Sequence, residues 1–414
     1  MKILQINNRH LRKGGADIVY LNTGQLLEEL NYEVCYFSIK TTQNEPSKFN
    51  KYFIEQRVNV NASFWDKIKN TFYYFYNKDA ARNLDLLIRE EKPDIAHIHL
   101  YVGGLTSSIF KALKKHKIPV VYTAHDYRLV CPAYAFLDAK GIICEDCKGK
   151  YFYKCTLKRC SKNNSLQSFI MSLEMYYRNL FFNPIKMIDG FVFVSDFAYK
   201  KHLQYMPKLH GKHVIRLYNY SNTTKPKNLQ SDYFLYYGRL SDEKGILTLI
   251  QAMEQLDSCS LKIVGDGPSF NQLQNYCTEY NIKNIEFTGY LKGDKLTSHI
   301  KNAKFIIVPS EWYENNPLTI IEAYSYGKPV IGSSVGGIPE IIINKETGFL
   351  FEMGDVTDLT DKLNIAQNIS EEQYKLMCHN AFTFAEKYFN KDINLIKLVD
   401  FYNLVIKDYN EKHS

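Results

Sequence analysis

Lys304-Phe-Ile-Ile-Val-Pro-Ser-Glu-Trp-Tyr-Glu-Asn-Asn-Pro-Leu-Thr-Ile-Ile-Glu-Ala-Tyr-Ser-Tyr-Gly-Lys-Pro-Val330 reads as strand, loop and helix in succession. Lys304–Pro309 is a short apolar strand. Asn316-Pro317 reads as a helix start, because Asn is a favoured N-cap and Pro at the first helical position gives up no needed N–H. Gly327 and Pro329 end the helix. Glu314 then falls in the loop, and Glu322 about two helical turns further on. The N–H groups of Leu318, Thr319 and Ile320 point out of the helix start, a ready anion site. Two carboxylates flanking an anion site suit a ligand that carries both hydroxyls and phosphates. The competing reading is ordinary surface charge, which the strand–loop–helix setting disfavours.

The same alternation runs along the chain. Lys2–Asn7, Glu33–Ile39, Asp94–His99, Pro119–His125 and Gly190–Ser195 read as strands, with a helix over Ala16–Leu30. Residues 40–60 read as an irregular, mobile excursion. A polar stretch, Asn219–Asn228, reads as a linker. Strands resume at Tyr233–Gly238, Ser260–Gly265, Ile285–Gly289, Phe305–Pro309 and Pro329–Gly332, and the tail from about 370 is helical. The expected fold class is α/β, with two doubly wound Rossmann-like domains facing a central cleft. The boundaries are 1–218, 219–385, and a final segment 386–414 that crosses back to the first domain. Ligands of such sheets bind outside the carboxyl ends of the strands.

Length and composition agree with this. The 414 residues exceed one ordinary domain, and 45% hydrophobic content supports full cores. A net charge of +8 fits an anionic nucleotide or an anionic membrane surface and is too weak to argue for nucleic acid. Met1–Asn7 lacks the long apolar run of a signal peptide, and no run reaches the roughly 20 residues of a spanning helix. The expected location is cytoplasmic, with peripheral contact at the inner membrane face, and the nine cysteines are expected to be reduced.

Several strand-end loops carry chemistry. Tyr237-Gly-Arg-Leu-Ser-Asp-Glu-Lys-Gly245 places Arg239 and Lys244 at a sheet edge. Arg grips two phosphate oxygens at once and Lys acts as a mobile point charge, so the pair suits a diphosphate. Val264-Gly-Asp-Gly-Pro268 and Ser334-Val-Gly-Gly-Ile-Pro-Glu340 allow close backbone approach, and each is also simply a good turn. Lys13-Gly-Gly-Ala16 opens the first helix but lacks the Gly-x-Gly-x-x-Gly fingerprint, which disfavours a nicotinamide cofactor. His125 ends a strand and suits a sugar hydroxyl, although a lone His is more often structural. His97 and His99 receive no role. No Asp-x-Asp occurs, so a divalent metal held that way is not expected.

Together these segments resemble the retaining glycosyltransferases of family four, over nearly the whole chain. The matching segments are Gly14-Gly15, His125, Phe193–Ser195, Gly238-Arg-Leu with Glu243-Lys-Gly245, Val264–Gly267, the Glu-x7-Glu from Glu314 to Glu322, and Gly336–Glu340. Asn315-Asn-Pro-Leu318 departs from the Gly-Phe-Gly-Leu run of many relatives. The resemblance implies the GT-B fold and transfer of a sugar from a nucleotide-sugar to a glycan or lipid-linked acceptor in cell-surface polysaccharide synthesis. It implies that Arg239 and Lys244, with the N–H groups of Leu318 and Thr319, hold the donor diphosphate. It further implies that Glu314 contacts sugar hydroxyls and Glu322 the ribose, that His125 faces the transferred sugar, and that Gly15 lies against the phosphates. No cofactor is implied for catalysis. A nucleotide-sugar epimerase of the same shape and a non-catalytic sugar-binding protein are the rival readings.

Cys131, Cys144, Cys147, Cys155 and Cys160 form a cysteine-rich insert at about 131–160. Cys144-Glu-Asp-Cys147 has zinc-knuckle spacing, and Cys155 with Cys160 supplies a second pair. Structural zinc on these four, free thiols and a redox role all remain open. The following Ser165–Phe182 stretch reads as an aromatic helix that packs on a core or touches a membrane.

Overall fold

A computed structural model describes residues 1–56, 64–161, 163–223, 232–256 and 259–413, with the side chains of 64–69 left out of the description. The chain divides into two compact units, Met1–Leu217 with Leu395–Ser414, and Tyr218–Asn394. The second unit thus runs on past residue 385. Part of the Asn219–Asn228 stretch lies outside the described residues.

The first unit holds a seven-stranded parallel sheet. Its strands are β1 (Lys2–Arg9), β2 (Glu33–Lys40), β3 (Ile54–Glu55), β4 (Ile95–Ile98), β5 (Val120–Ala124), β6 (Gly190–Phe193) and β7 (His213–Arg216), in the order 3-2-1-4-5-6-7. The inner strands β4, β5 and β6 are short and largely apolar because helices cover both faces of such a sheet, whereas β1 also carries Gln5, Asn7 and Asn8. Ile3, Leu4, Ile6, Ile95, Ile98 and Phe193 are wholly buried. Gly15–Glu29 forms the first crossover helix. Residues 40–56 are anchored rather than loose. Phe49, Tyr52, Phe53 and Ile54 are buried, and Ile54 pairs with Ile39; residues 57–60 lie outside the description. The Lys391–His413 helix completes the unit. Its Phe401 and Val405 press on Gly190 so closely that an added Cβ there would meet them at 2.8–3.0 Å, and Tyr402 is buried with its hydroxyl on His97 Nδ1 at 2.6 Å.

The second unit holds a six-stranded parallel sheet of β8 (Tyr233–Tyr237), β9 (Ser260–Val264), β10 (Ile285–Gly289), β11 (Phe305–Val308), β12 (Val330–Ser333) and β13 (Gly348–Phe351). Their order is 10-9-8-11-12-13. Both sheets therefore reverse direction once, beside β1 and β4 in one and β8 and β11 in the other. A crevice opens at such a switch point, outside the carboxyl ends of the strands. Among the described residues, no helix is long and apolar enough to cross a membrane.

Candidate active site

The carboxyl ends of β8 and β11 are neighbours, and the loops that leave them interlock. Glu311 donates its N–H to Glu243 O at 2.9 Å. Gly245 sits at φ 65°, where a Cβ would lie 1.9 Å from Pro309 O. Only a residue without a side chain permits that approach. The approach sets Lys244 beside Glu314, and its Nζ donates to Glu314 Oε1 at 2.6 Å. Ser310 Oγ and Trp312 Nε1 donate to the same oxygen, each at 2.9 Å. Glu314 is 7% exposed. Burial alone would push its carboxyl up, but Lys244 and the two neutral donors outweigh burial and hold it below the ordinary value. It is therefore a buried carboxylate, charged at neutral pH. Lys244 also lies 5.2 Å from the Trp312 ring.

Glu314 is fixed from the other side by the glycine loop after β12. Gly337 donates its N–H to Glu314 O at 2.7 Å, and a Cβ on Gly336, at φ 62°, would lie 2.3 Å from that oxygen. The Ser334–Glu340 segment, read from sequence as a surface for ligand, thus spends one donor on Glu314 itself.

The helix runs from Leu318 to Ser325 with Pro317 at its N-cap position, so Asn316 is not the cap. Asn316 is used elsewhere: its Oδ1 accepts from Asn219 N at 2.7 Å and its backbone oxygen from Asn219 Nδ2 at 3.0 Å. Ile320 N–H turns back onto Pro317 O at 3.1 Å. The outward donors of this helix start are then those of Leu318 and Thr319, without Ile320. Gly327, at φ 64°, closes the far end, with Lys328 N–H on Ala323 O and Gly327 N–H on Tyr324 O. Glu322 is half-buried, and burial raises its carboxyl despite a hydrogen bond from Tyr237. The single Tyr237 hydroxyl proton is shared with Thr319 O, at 2.9 Å. Arg239 is exposed beyond the end of β8, and its backbone oxygen takes the Tyr236 hydroxyl at 2.8 Å.

Within the second unit, then, Lys244, Glu314, Leu318 and Thr319 share one loop-and-helix assembly, with Glu322 behind it and Arg239 at its rim. Sequence reading missed Ser310, Trp312 and Tyr237. Ser310 and Trp312 precede Glu314 by four and two residues, and a search for donors to a buried acid would have found them.

In the first unit, the carboxyl edge of β4 and β5 carries a line of imidazoles. His99 Nδ1 lies 2.8 Å from His125 Nε2, and His99 Nε2 lies 3.0 Å from Gln5 Oε1. His97 bridges Thr123 Oγ1 and the Tyr402 hydroxyl, each at 2.6 Å, and its ring centre lies 4.3 Å from that of His99. Burial lowers His97 to about 3, His125 to about 4, and His99 well below its ordinary value. All three are neutral at pH 7, with one N–H each. An amide oxygen only accepts, so His99 donates from Nε2 to Gln5 and accepts at Nδ1 from His125 Nε2–H. His99 thus holds the ring that sequence reading singled out.

Gly15 opens the first helix, but Gly14 N–H is taken by the buried Asp17 carboxylate at 3.2 Å. Asp17 also accepts from Asn7 Nδ2 at 2.9 Å. Sequence reading missed Asp17. A cavity of about 1030 Å³ opens at this edge, with Asn8, Arg9, Lys13, Tyr74 and Arg128 in its wall.

The cysteine insert belongs to this unit. Cys131, Cys147 and Cys155 are buried, Lys158 Nζ sits 3.6 Å from Cys144 Sγ, and Cys155 and Cys160 contact each other. Burial first, and then the neighbouring cysteines, push the Cys131 and Cys147 thiols up to about 12. Among the described residues, no three His, Cys, Asp or Glu side chains are arranged to hold a metal ion.

Residues 13–219, half of the chain, match the family model described as Glycosyltransferase Family 4. The chain belongs to this family. Residues 221–381 of this family 4 glycosyltransferase match a second model, that of glycosyl transferases group 1. An uncharacterised glycosyltransferase of Methanocaldococcus jannaschii is 23% identical to it over 391 residues, covering 94% of both chains. The UDP-Gal:alpha-D-GlcNAc-diphosphoundecaprenol alpha-1,3-galactosyltransferase of Escherichia coli is 26% identical over 296 residues, 67% of each chain. The solved sucrose-phosphate synthase of Thermosynechococcus elongatus superimposes with a TM-score of 0.70 at 18% identity, covering 98% of this chain and 99% of that one. The fold is GT-B, built of two Rossmann-like domains.

Proposed function

We propose that this family 4 glycosyltransferase moves a sugar from a nucleotide-sugar to a glycan or lipid-linked acceptor, with retention of anomeric configuration, in cell-surface polysaccharide synthesis. The observation that carries the reading is the Lys244–Glu314 pair at the switch point of the second sheet, beside the outward N–H groups of Leu318 and Thr319. In this reading Arg239, Lys244 and the two N–H groups take the diphosphate and stabilise the charge that builds as it leaves. Glu314 is already desolvated and charged, so it can bind sugar hydroxyls and offset positive charge on the departing sugar at little reorganisation cost. Glu322 accepts from the ribose. In the first unit, Gly15 approaches the phosphates, and His125, held by His99, faces the transferred sugar. The Arg9, Lys13 and Arg128 cavity suits an acceptor that itself bears phosphate. The acceptor class follows the name of the Escherichia coli relative, and the basic cavity supports it.

Incubation with radiolabelled nucleotide-sugars, with and without a bacterial lipid extract, tests this. Label should enter the lipid phase only when extract is present, and NMR of the product should show the donor's anomeric configuration. Epimer formed from donor alone would overturn the transferase reading, and an inverted linkage would overturn retention.

A further inference from the structure

The Ser165–Phe181 helix buries a mostly polar face. That face carries Ser168, Ser172, Glu174 and Arg178 with a single buried apolar residue, Met175, whereas Leu166, Phe169, Leu173, Tyr176 and Leu180 stand outside. The outer residues follow each other at spacings of three, four, three and four, one stripe along a helix. Leu166 is 68% exposed and Leu180 76%.

The inner polar face is held by hydrogen bonds through Arg178 Nε and Nη2, Ser172 and Ser168, with Arg178 Nη1 left unpaired among the described residues. Arg178 Nε donates to Glu174 Oε1 at 2.9 Å, and Arg178 also donates to Arg128 O at 2.8 Å. Ser172 donates to Phe152 O at 2.8 Å, and Ser161 N–H donates to Ser168 Oγ at 3.0 Å. These contacts hold the helix in this orientation, so the apolar stripe cannot roll inward without stranding a buried ion pair. An exposed stripe of this length marks an interaction surface.

What covers it is indicated by its neighbour. The Tyr153–Leu157 helix packs on it, joined by Thr156 Oγ1 to Ser172 Oγ at 3.0 Å and by the Phe152 and Tyr176 rings at 5.1 Å. Residues 148–159 around that helix contain Lys148, Lys150, Lys154, Lys158 and Arg159 and no Asp or Glu; Lys158 is paired with Asp146 at 2.7 Å, which leaves the other four cations. They also expose Tyr151, Tyr153 and Leu157. Cations and tyrosines bordering an apolar helix face match a bilayer interface: the stripe enters the acyl boundary, tyrosines sit among headgroups, and lysines meet lipid phosphates. A second copy of this chain across a two-fold axis would bring two such cationic segments together, which is repulsive.

We propose that the outer face of the Ser165–Phe181 helix, with the basic 148–159 segment, docks this protein on an anionic lipid surface. The proposal deepens the lipid-linked acceptor reading, which would place such an acceptor at this face. Its test needs no sugar transfer, so the two can fail separately.

Co-sedimentation of the full chain with phosphatidylglycerol/phosphatidylcholine vesicles and with pure phosphatidylcholine vesicles is the experiment. Wild type should bind the anionic vesicles, and less at high salt. Leu173→Ser/Leu180→Ser and Lys148→Glu/Lys150→Glu should each lower partitioning about tenfold or more. Both variants should keep wild-type melting and nucleotide binding, because all four residues are exposed and distant in sequence from the second unit. Phe169→Trp should show emission quenched by brominated lipid. No vesicle binding by wild type, or binding that ignores both double substitutions, would overturn the proposal. So would a wild-type dimer that Leu173→Ser/Leu180→Ser dissolves, which would assign the stripe to a second copy.

Discussion

Removing Lys244 should reverse the pH dependence of the second unit. In wild type, Glu314 titrates below its ordinary value of 4.5 because Lys244, Ser310 and Trp312 all serve one oxygen. A depressed carboxylate contributes stability above its unfolded pKa and loses it as the pH falls through the folded one. In Lys244→Met, burial dominates and the carboxyl rises instead. The charged form then becomes a liability, and stability falls as the pH climbs. Taking one partner from a buried ion pair costs about 3–5 kcal/mol, and the two remaining neutral donors keep the cost near the lower end, about 3 kcal/mol. For a unit of this size that is roughly 6–12 °C in Tm. Differential scanning calorimetry at pH 8 and pH 5 reads it out. The drop should be large at pH 8 and much smaller at pH 5, where the acid takes up a proton. Lys244→Met/Glu314→Gln should recover more than half of the pH 8 loss. An equal drop at both pH values, or strict additivity of the two substitutions, would refute the claim that Glu314 is a buried carboxylate held by Lys244.

Glu322 is raised by burial, so its charge is a standing cost that grows as the pH rises above its unfolded value. Glu322→Gln should melt higher at pH 8 and unchanged at pH 4, while nucleotide affinity drops about tenfold, the loss of one charge-assisted hydrogen bond. Gly336→Ala must place a Cβ at φ 62° and 2.3 Å from Glu314 O. It should cost at least about 1–2 kcal/mol from backbone strain alone and weaken nucleotide binding by displacing Glu314, both visible in a thermal-shift titration. In the first unit, His97, His99 and His125 are buried and depressed, so the unfolded chain binds more protons below pH 6.5. Its calorimetric transition should fall steadily from pH 7 to pH 4, and His99→Gln should flatten that slope.

Much of this architecture is written locally. Phe305–Val308 is apolar because both faces of its sheet are covered, and the polar residues after it mark where the strand leaves the core. That local logic located Glu314, Glu322, Arg239 and Lys244. Long-range partners left no such mark. Lys244 and Glu314 are 70 residues apart and meet because β8 and β11 are sheet neighbours, an order that alternation does not specify. His99 was passed over because nothing near it in sequence signals a bond to His125. Asn316 has the preferences of a cap but is claimed by Asn219. The Ser165–Phe181 periodicity was legible, yet periodicity does not say which face turns inward; the Glu174–Arg178 pair, bound to Arg128 O, decides that.

The central claim is that the second unit binds the diphosphate of a nucleotide-sugar through Arg239, Lys244 and the Leu318–Thr319 helix start. Isothermal titration calorimetry with a panel of nucleoside diphosphates and nucleotide-sugars, in buffer containing a metal chelator, tests it most directly. At least one nucleotide-sugar should bind wild type, and Arg239→Ala and Lys244→Ala should each weaken that binding about 10- to 100-fold, the worth of a charge-assisted phosphate contact. No binding by any nucleotide, or binding untouched by both substitutions, would contradict the account.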